Sequence, residues 1–530
     1  MVKGMLFIMT KRILSMFAAL LMLFTLVSCF SSCDELLGDA DSIKSLIEDL
    51  IGSVDSNLET TEKNALDDKF DDDWWDDEDD FFGGPIEVYP TTVEKKSYGK
   101  EFYLSIVPDC NPMAYLWVEK SSGDAMSEAV YARQERVYNY LGVEVVGTSG
   151  GTYRDYVGRF RTAVEKRDGS VDCLVSHVSE GICGLVTQMY FKDFNNVQGI
   201  DLEQDYWNTD FMDSVAIDGS RYLGRSDINI LYTYVIAFNK DLLDQYAGSM
   251  EKSVYQMVYD NKWTLDTMLS LAQLVSVDKT GDGKTDDDVY GLTGQQWVPW
   301  VGFFHSSNIN LVEHYQLSFM NATNADKTKN LIKKLKAFSA SEFAYLTYPS
   351  GGAGVPSNKV PLYTGRALME LSSTYSLENY LQYDLNFGVL PYPLYDQYQK
   401  NYRSLQWGGY LCVPSYVEDE LKVGETLEVM SFYSDDVRMA FYEKMLGKQV
   451  ADAPDDVRIL EEYIWENVCT DFAQAYASQI PQALYFLPNV TYPGPEGKEM
   501  ASFYKSFESS YNDNIKTFIK DVIQRRAESQ

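Results

Sequence analysis

Basic residues are scarce in this chain. Its 530 residues hold 45 Lys and Arg against 79 Asp and Glu, a formal net charge of −34. That excludes nucleic acid as a partner, because phosphate binding needs clustered Lys and Arg to release counterions. Histidine is rarer still. Only His177, His305 and His314 occur, which argues against a His-rich metal centre or proton relay. The seven cysteines include no C-x-x-C pair, so a zinc site or disulfide framework is not expected. Cys173 and Cys183 could pair, but isolated buried thiols are the expectation. No internal repeat is evident. What is abundant is apolar and aromatic: 45 % hydrophobic residues, with 39 Tyr, 26 Phe and 9 Trp. Such a chain buries a large core and is not wholly disordered. Its length exceeds what one core serves, so two or more lobes are expected.

The charge is unevenly placed: +3 over residues 1–28, −17 over 34–90 and −20 over 91–530. Lys3, Lys11 and Arg12 precede the apolar run Ile13 to Val27, which has signal-peptide length and is short for a membrane span. Leu26-Val27-Ser28-Cys29 resembles a bacterial lipobox, with Cys29 as the lipidated N-terminus after cleavage; Cys33 is a poorer second candidate. Residues 29–96 read as a tether. The acidic run from Asp67 to Asp80 repels itself and extends, and a solvated spacer is the simplest reading of it. Ile43, Leu46, Ile47, Leu50 and Ile51 have the spacing of one short amphipathic helix.

From residue 97 onward the pattern is α/β. Phe102 to Val107, Val143 to Val146 and Val171 to Ser176 read as strands. Helices separate them: Ala125 to Leu141, stopped by Gly142, and one opened by the capping pair Thr152 and Asp155. A third helix is expected over Gly181 to Tyr190. This β-α-β-α-β order implies a parallel sheet with a ligand rim beyond the carboxyl ends of its strands. Further strands are expected over Ile230 to Phe238, Phe387 to Pro391 and Leu411 to Pro414. Helices are expected over Trp263 to Val277, 427–446 and 456–478.

Several strings carry a resemblance. They are Val235-Ile236-Ala237-Phe238-Asn239-Lys240-Asp241-Leu242-Leu243, Asn261-Lys262-Trp263-Thr264-Leu265-Asp266, Gly365-Arg366-Ala367-Leu368-Met369, and Phe387-Gly388-Val389-Leu390-Pro391-Tyr392-Pro393 with Gln406-Trp407-Gly408-Gly409-Tyr410. In this order they resemble bacterial extracellular solute-binding proteins, the receptors of ABC importers, and especially the sugar-binding family related to maltose-binding protein. The resemblance implies a two-lobed type II periplasmic-binding fold with an interlobe hinge and a ligand cleft. Lobe one would hold residues 97–215 and 395–450, and lobe two residues 216–394 and 451–530. It also implies reversible capture of a sugar or oligosaccharide by a single copy of the chain. That copy would be anchored through its lipid on the outer face of the membrane and would hand its ligand to permease subunits.

Sugar sites pair aromatic platforms with fixed polar groups. By the resemblance, Gln295-Gln296-Trp297-Val298-Pro299-Trp300 supplies lobe-two contacts, with Trp297 the first platform, Trp300 the second, and Gln295 and Gln296 the donors and acceptors. For either Trp, core burial is the competing reading. Trp407 precedes two glycines that allow close backbone approach, and Tyr375 falls where relatives place an aromatic. His177, after the third strand, is a candidate from lobe one, and Trp117 a weaker one.

Asp278, Thr280, Asp282, Lys284, Asp286, Asp287 and Asp288 resemble an EF-hand-like calcium loop, with Lys284 contributing its backbone carbonyl. Val289 replaces the bidentate Glu of position 12, and a plain Asp/Gly turn is the alternative. Structural calcium is therefore an expectation; no cofactor is required.

Two other functions compete. Gly147-Thr148-Ser149-Gly150-Gly151 fits G-x-S-x-G, the elbow of α/β-hydrolases, but the helix cap Thr152 follows Ser149 by three residues, too late for an elbow nucleophile. A cell-envelope adhesin or scaffold would share the lipobox and tether without needing a cleft. The expectation is a binding protein, not an enzyme.

Overall fold

The computed structural model describes residues 89–107, 113–149, 151–176, 181–229, 232–247, 250, 252–348, 359–406, 409–447, 454–479 and 481–529. The signal segment, Cys29, Cys110 and the acidic run therefore lie outside the described residues.

Strands run along the chain as β1 (Lys100–Ile106), β2 (Val143–Ser149), β3 (Cys173–Val175), β4 (Tyr234–Asn239), β5 (Tyr290–Gln295), β6 (Val312–Glu313) and β7 (Gln316–Leu317). They continue as β8 (Ala344–Thr347), β9 (Ala367–Ser373), β10 (Phe387–Leu390), β11 (Ser404–Leu405), β12 (Leu411–Cys412) and β13 (Val468–Cys469). Two main sheets result, in orders β12-β3-β1-β2 and β10-β4-β9-β5-β8.

The first sheet follows from the β-α-β pattern. Parallel β1, β2 and β3 are joined by helices α1 (Ala125–Leu141) and α2 (Tyr153–Lys166), and β12 returns antiparallel at the edge. Gly142 ends α1 at φ 60°, a conformation other residues adopt only with strain. Thr152 and Asp155 form the expected reciprocal capping box at the start of α2. The third helix, α3 (Ile182–Thr187), is shorter than expected. One apolar cluster joins Phe102, Leu104 and Val145 to Val423 and Leu427, which lie in a helix from much later in the chain.

The second sheet is mixed. β4 runs directly into α4 (Lys240–Ala247), as the sequence signature anticipates, and Thr264 caps α5 (Leu265–Val275). β5 leads into α6 (Val298–Ser306), whose side chains are almost all buried; α7 (Ala325–Ser339) leads into β8. β5, β8 and β9 are parallel, and β4 is antiparallel to β9 and β10.

Two crossings link the sheets. Gly224 bridges Leu411 of β12, and Thr233, next to β4, bridges Gln406. The outgoing chain and the returning chain thus run side by side between the two sheets. This is the hinge region of a two-lobed molecule.

Some boundaries differ from expectation. Folded packing begins before residue 97: Val93 is buried and its carbonyl accepts the Tyr140 hydroxyl at 2.5 Å, while Lys96 pairs with Glu425 at 2.7 Å. The tether therefore ends earlier than residue 96. The 427–446 stretch is two helices, α8 (Glu420–Phe432) and α9 (Asp435–Leu446), because the Ser434 side chain turns back onto the Met430 carbonyl at the junction. The 456–478 stretch is not one helix. A wide turn over Ile459–Ile464 and a tight one over Trp465–Asn467 lead into β13, which pairs with β11. After α10 (Phe486–Thr491), the long α11 (Met500–Ser529) closes the chain. It touches both α3 and β7, and Arg526 bonds Ser220 at 2.7 Å and pairs with Asp218. Cys173, Cys183, Cys412 and Cys469 are buried free thiols, as expected. Among the described residues no helix is long and apolar enough to cross a membrane.

Candidate functional site

The register of the second sheet fixes its rim. Gln295 ends β5 opposite Thr347 of β8, and Tyr234 opens β4 opposite Ser373 of β9. The residues just beyond these positions therefore gather along one edge, and they are mostly aromatic. Trp297, half-buried, stacks on Tyr485 with centroids 4.1 Å apart and planes at 10°. Its edge meets Tyr348, which stacks on Tyr492 at 4.2 Å. At the β4–β9 corner Tyr375, 38 % exposed, stacks on Tyr232 at 5.5 Å. Stacked rings of this kind present flat apolar faces next to polar edges, the surface that a sugar ring's C–H face complements.

Trp300 and Gln296 are elsewhere. Trp300 is fully enclosed, and its indole N–H donates to Thr491 Oγ1 at 2.9 Å. The Gln296 amide donates to the same hydroxyl at 2.9 Å and is also buried. Gln296, just before α6, and Trp300, within it, both reach α10, so they are core residues and not ligand contacts. The three-residue step from Trp297 to Trp300 carries the chain from the rim into the first turn of α6. Gln295 stays half-buried at the strand end.

On the first sheet, Ile106, Ser149 and Val175 end level with one another. Trp117 lies over this end: its indole N–H donates to the Val145 carbonyl at 2.7 Å, and its ring occupies the space a side chain at residue 147 would need, which is why Gly147 is there. Trp117 therefore supports β2 through its indole N–H and through the packing of its ring beside Gly147. Ser149 is the last residue of β2 and the cap of α2 is Thr152, three residues later, so Ser149 does not stand at the turn into the helix as an elbow nucleophile does. His177 and Trp407 lie outside the described residues.

The sheets meet at a latch beside these rims. Tyr115 and Lys444, from the first lobe, approach Glu378 Oε2 at 3.4 and 3.5 Å, and Tyr115 packs edge-on against Phe441 at 5.4 Å. A separate groove of about 430 Å³ lies between β7 and α11, lined by Tyr315, Lys516, Ile519 and Lys520 among others; none of the rim residues contributes to it.

In the acidic loop the structure brings three carboxylates together. Oxygens of Asp278, Asp282 and Asp288 lie within 4.8 Å of one another. Asp288 accepts the backbone N–H groups of Lys279 and Thr285, each at 2.9 Å, and these hold its carboxyl below the usual range. Thr280 bonds Asp282. Asp286 and Asp287 are drawn away from the cluster, Asp286 to Tyr345 and Asp287 to Arg366 at 3.2 Å, so neither belongs to the ligand set expected for them. The Lys284 side chain lies over the Tyr290 and Tyr345 rings, and its burial lowers its pKa. Three oxygens from hard donors suit a hard cation, but a full calcium shell needs more.

The comparisons agree with this architecture. The family described as bacterial extracellular solute-binding protein matches residues 135–447, and the chain belongs to that family. It is a family of binding proteins that work outside the cytoplasm. Among solved structures, the fold is similar to the cyclic alpha-maltosyl-1,6-maltose binding protein from Arthrobacter globiformis, at 12 % identity over 79 % of this chain and 99 % of that one, with a TM-score of 0.52. It is also similar to UspC of M. tuberculosis, at 13 % identity over 78 % and 100 %, with a TM-score of 0.51. No curated protein matches the sequence. The family resemblance and the two-lobed α/β fold expected from the sequence are both borne out.

Proposed function

We propose that this protein is the substrate receptor of an importer and captures a saccharide between its lobes. The observation that carries the reading is the row of stacked aromatics along the second sheet, with Trp297 on Tyr485, Tyr348 on Tyr492 and Tyr375 on Tyr232. A similarly folded protein from Arthrobacter globiformis is described as a maltosyl-maltose binder, which supports the same class of ligand. Lobe closure would bury the ligand and form the surface that permease subunits read. A lipid on Cys29 and the acidic segment after it would tether the receptor to the outer face of the membrane, with one copy per ligand. Titration of a glycan panel, followed by tryptophan fluorescence and small-angle scattering, tests the reading. A saccharide should quench or shift Trp emission and compact the particle. A panel with neither response overturns it.

Calcium in the Asp278–Asp288 loop is a separate proposal, supported by the convergence of Asp278, Asp282 and Asp288. Calcium should raise the melting temperature of chelated protein, and Asp288→Asn should cancel the rise. An unchanged melting curve removes calcium from the reading.

A further inference from the structure

Among the described residues two arginines are buried, and they are treated differently. Arg133 donates to Ser434 Oγ at 3.0 Å and to the Leu116 and Tyr115 carbonyls at 2.9 and 3.5 Å. Both of its terminal nitrogens are therefore engaged, and only Nε is left without a partner. The Arg225 side chain, in a residue 2 % exposed, has one hydrogen bond among the described residues, from Nε to Gln406 Oε1 at 3.3 Å. Its guanidinium lies 4.5 Å from the Trp465 ring centroid and forms no ion pair among the described residues. Asp227, the nearest carboxylate in sequence, is bonded to Arg438 at 3.0 Å.

The unmet hydrogen bonding around Arg225 has a bias. Buried atoms without a partner here are Arg225 Nη2, Gln406 Nε2, Arg438 Nε, the Tyr442 hydroxyl and Gln474 Oε1. The amide orientations are set by their other bonds: Gln406 Oε1 accepts from Arg225, and Gln474 Nε2 donates to the Gln406 carbonyl at 2.5 Å. Three of the five atoms are therefore obligate donors, one is an acceptor, and the hydroxyl can serve as either. Leaving so many buried donors unpaired is costly, which marks the cluster as more than packing. The two guanidiniums are also matched unequally: Arg438 pairs with Asp227 at 3.0 Å and Asp435 at 2.9 Å, whereas Arg225 has no ion pair among the described residues.

The location matters as much as the chemistry. Arg225 follows Gly224, which bridges the first sheet, and Gln406 bridges Thr233 next to the second. Arg438 and Tyr442 stand on α9. The cluster thus lies where the two crossings pass each other, at the hinge between the lobes.

We infer that Arg225, with Gln406, Gln474 and Tyr442, forms a polar floor of the ligand site that receives a carboxylate carried by the saccharide. This rests on the saccharide reading above and narrows it from sugars in general to acidic ones. A planar guanidinium backed by a Trp face matches a carboxylate in two parallel hydrogen bonds, and a neighbouring amide N–H adds a third donor. Opening of the lobes admits the ligand, and closing buries the new pair.

The test uses the mature chain, a trisaccharide containing one uronic acid, and the neutral trisaccharide of the same linkage, compared by calorimetry at one ionic strength. The acidic probe should bind at least 20-fold more tightly. Gln406→Glu places a carboxylate beside Arg225, so it should weaken the acidic probe at least 20-fold while melting no lower than the parent. Arg225→Gln should give the same loss, and Gln406→Glu keeps the test decisive if that variant does not fold. Equal binding of both probes, or acidic binding that ignores Gln406→Glu, overturns the carboxylate floor and leaves the saccharide reading standing. Binding of neither probe, with no response across the glycan panel, overturns both.

Discussion

Trp117 and Trp297 are both half-buried, and both lie near the carboxyl end of a sheet, yet they do different things. Trp117 binds the Val145 carbonyl through its indole N–H and fills the space beside Gly147. Its ring is built into the first sheet. Trp297 makes its contacts through its ring, face to face with Tyr485 and edge to Tyr348. The contrast extends to the rims. The first sheet ends in Ile106, Ser149 and Val175, the second in aromatic pairs. Among the described residues, stacked aromatic pairs thus line the rim of the second sheet and not that of the first.

The strongest way to break this comparison is to move one turn along α6. Trp300 shares the local sequence of Trp297 but is enclosed and bonded to Thr491. Trp300→Ala should cost about 3–5 kcal/mol of stability, from the lost packing and the cavity left behind. Saccharide affinity of the molecules that remain folded should change little. Chemical denaturation with calorimetry on the same samples checks both halves. A large affinity loss at full stability would put Trp300 at the ligand.

His305, at the end of the same helix, sharpens the picture of that interior. It is fully buried, neither ring nitrogen has a partner, and burial pushes its pKa down to about 3. Below pH 6.5 the unfolded chain takes up a proton that the folded chain refuses. The stability this residue contributes is thus present above pH 6.5 and is lost as the pH falls towards 3, at about 1.4 kcal/mol per unit. His305→Gln should flatten that slope between pH 6 and 4 relative to the parent, as read from denaturation midpoints. Parallel curves would mean that the imidazole protonates in place.

What the sequence disclosed here, and what it did not, follows from range. Caps are local: Thr152 with Asp155, Thr264 and Gly142 are each read from four or five neighbouring residues, and each is found. The β-α-β order and the β4–α4 signature are also local, and they carry the fold. Trp297 and Trp300 cannot be separated that way. Their difference is set by α10 and by Tyr485 and Tyr492, nearly 200 residues further on. The break at 456–478 depends on β13 pairing with the distant β11. The Arg225 cluster draws on four separate segments, and Arg225 in its own string looks like a surface residue. In the acidic loop the spacing selects Asp278 and Asp282, but only the fold decides that Asp288 joins them while Asp286 and Asp287 turn to Tyr345 and Arg366.

The platform itself offers a smaller effect than the core. Trp297→Ala removes one face of the stack on Tyr485 and should weaken saccharide binding about tenfold, near 1.4 kcal/mol. Trp297→Phe should recover part of that, because a ring face remains. Titration of both variants against the best glycan of the panel gives the ratio. If alanine binds as well as the parent, the aromatic row is packing and the comparison between the rims loses its meaning.

The smallest effect isolates the other tryptophan. Trp117→Phe keeps a ring beside Gly147 but removes the donor to Val145, leaving that carbonyl one partner short. A single hydrogen bond of this kind contributes about 1 kcal/mol, so the melting temperature should fall by a few degrees at most. Saccharide affinity should hold within twofold, since the N–H that a ligand would use is already turned into the strand. An affinity loss larger than the stability loss explains would make Trp117 a second platform facing Trp297, and stacking would then come from both lobes.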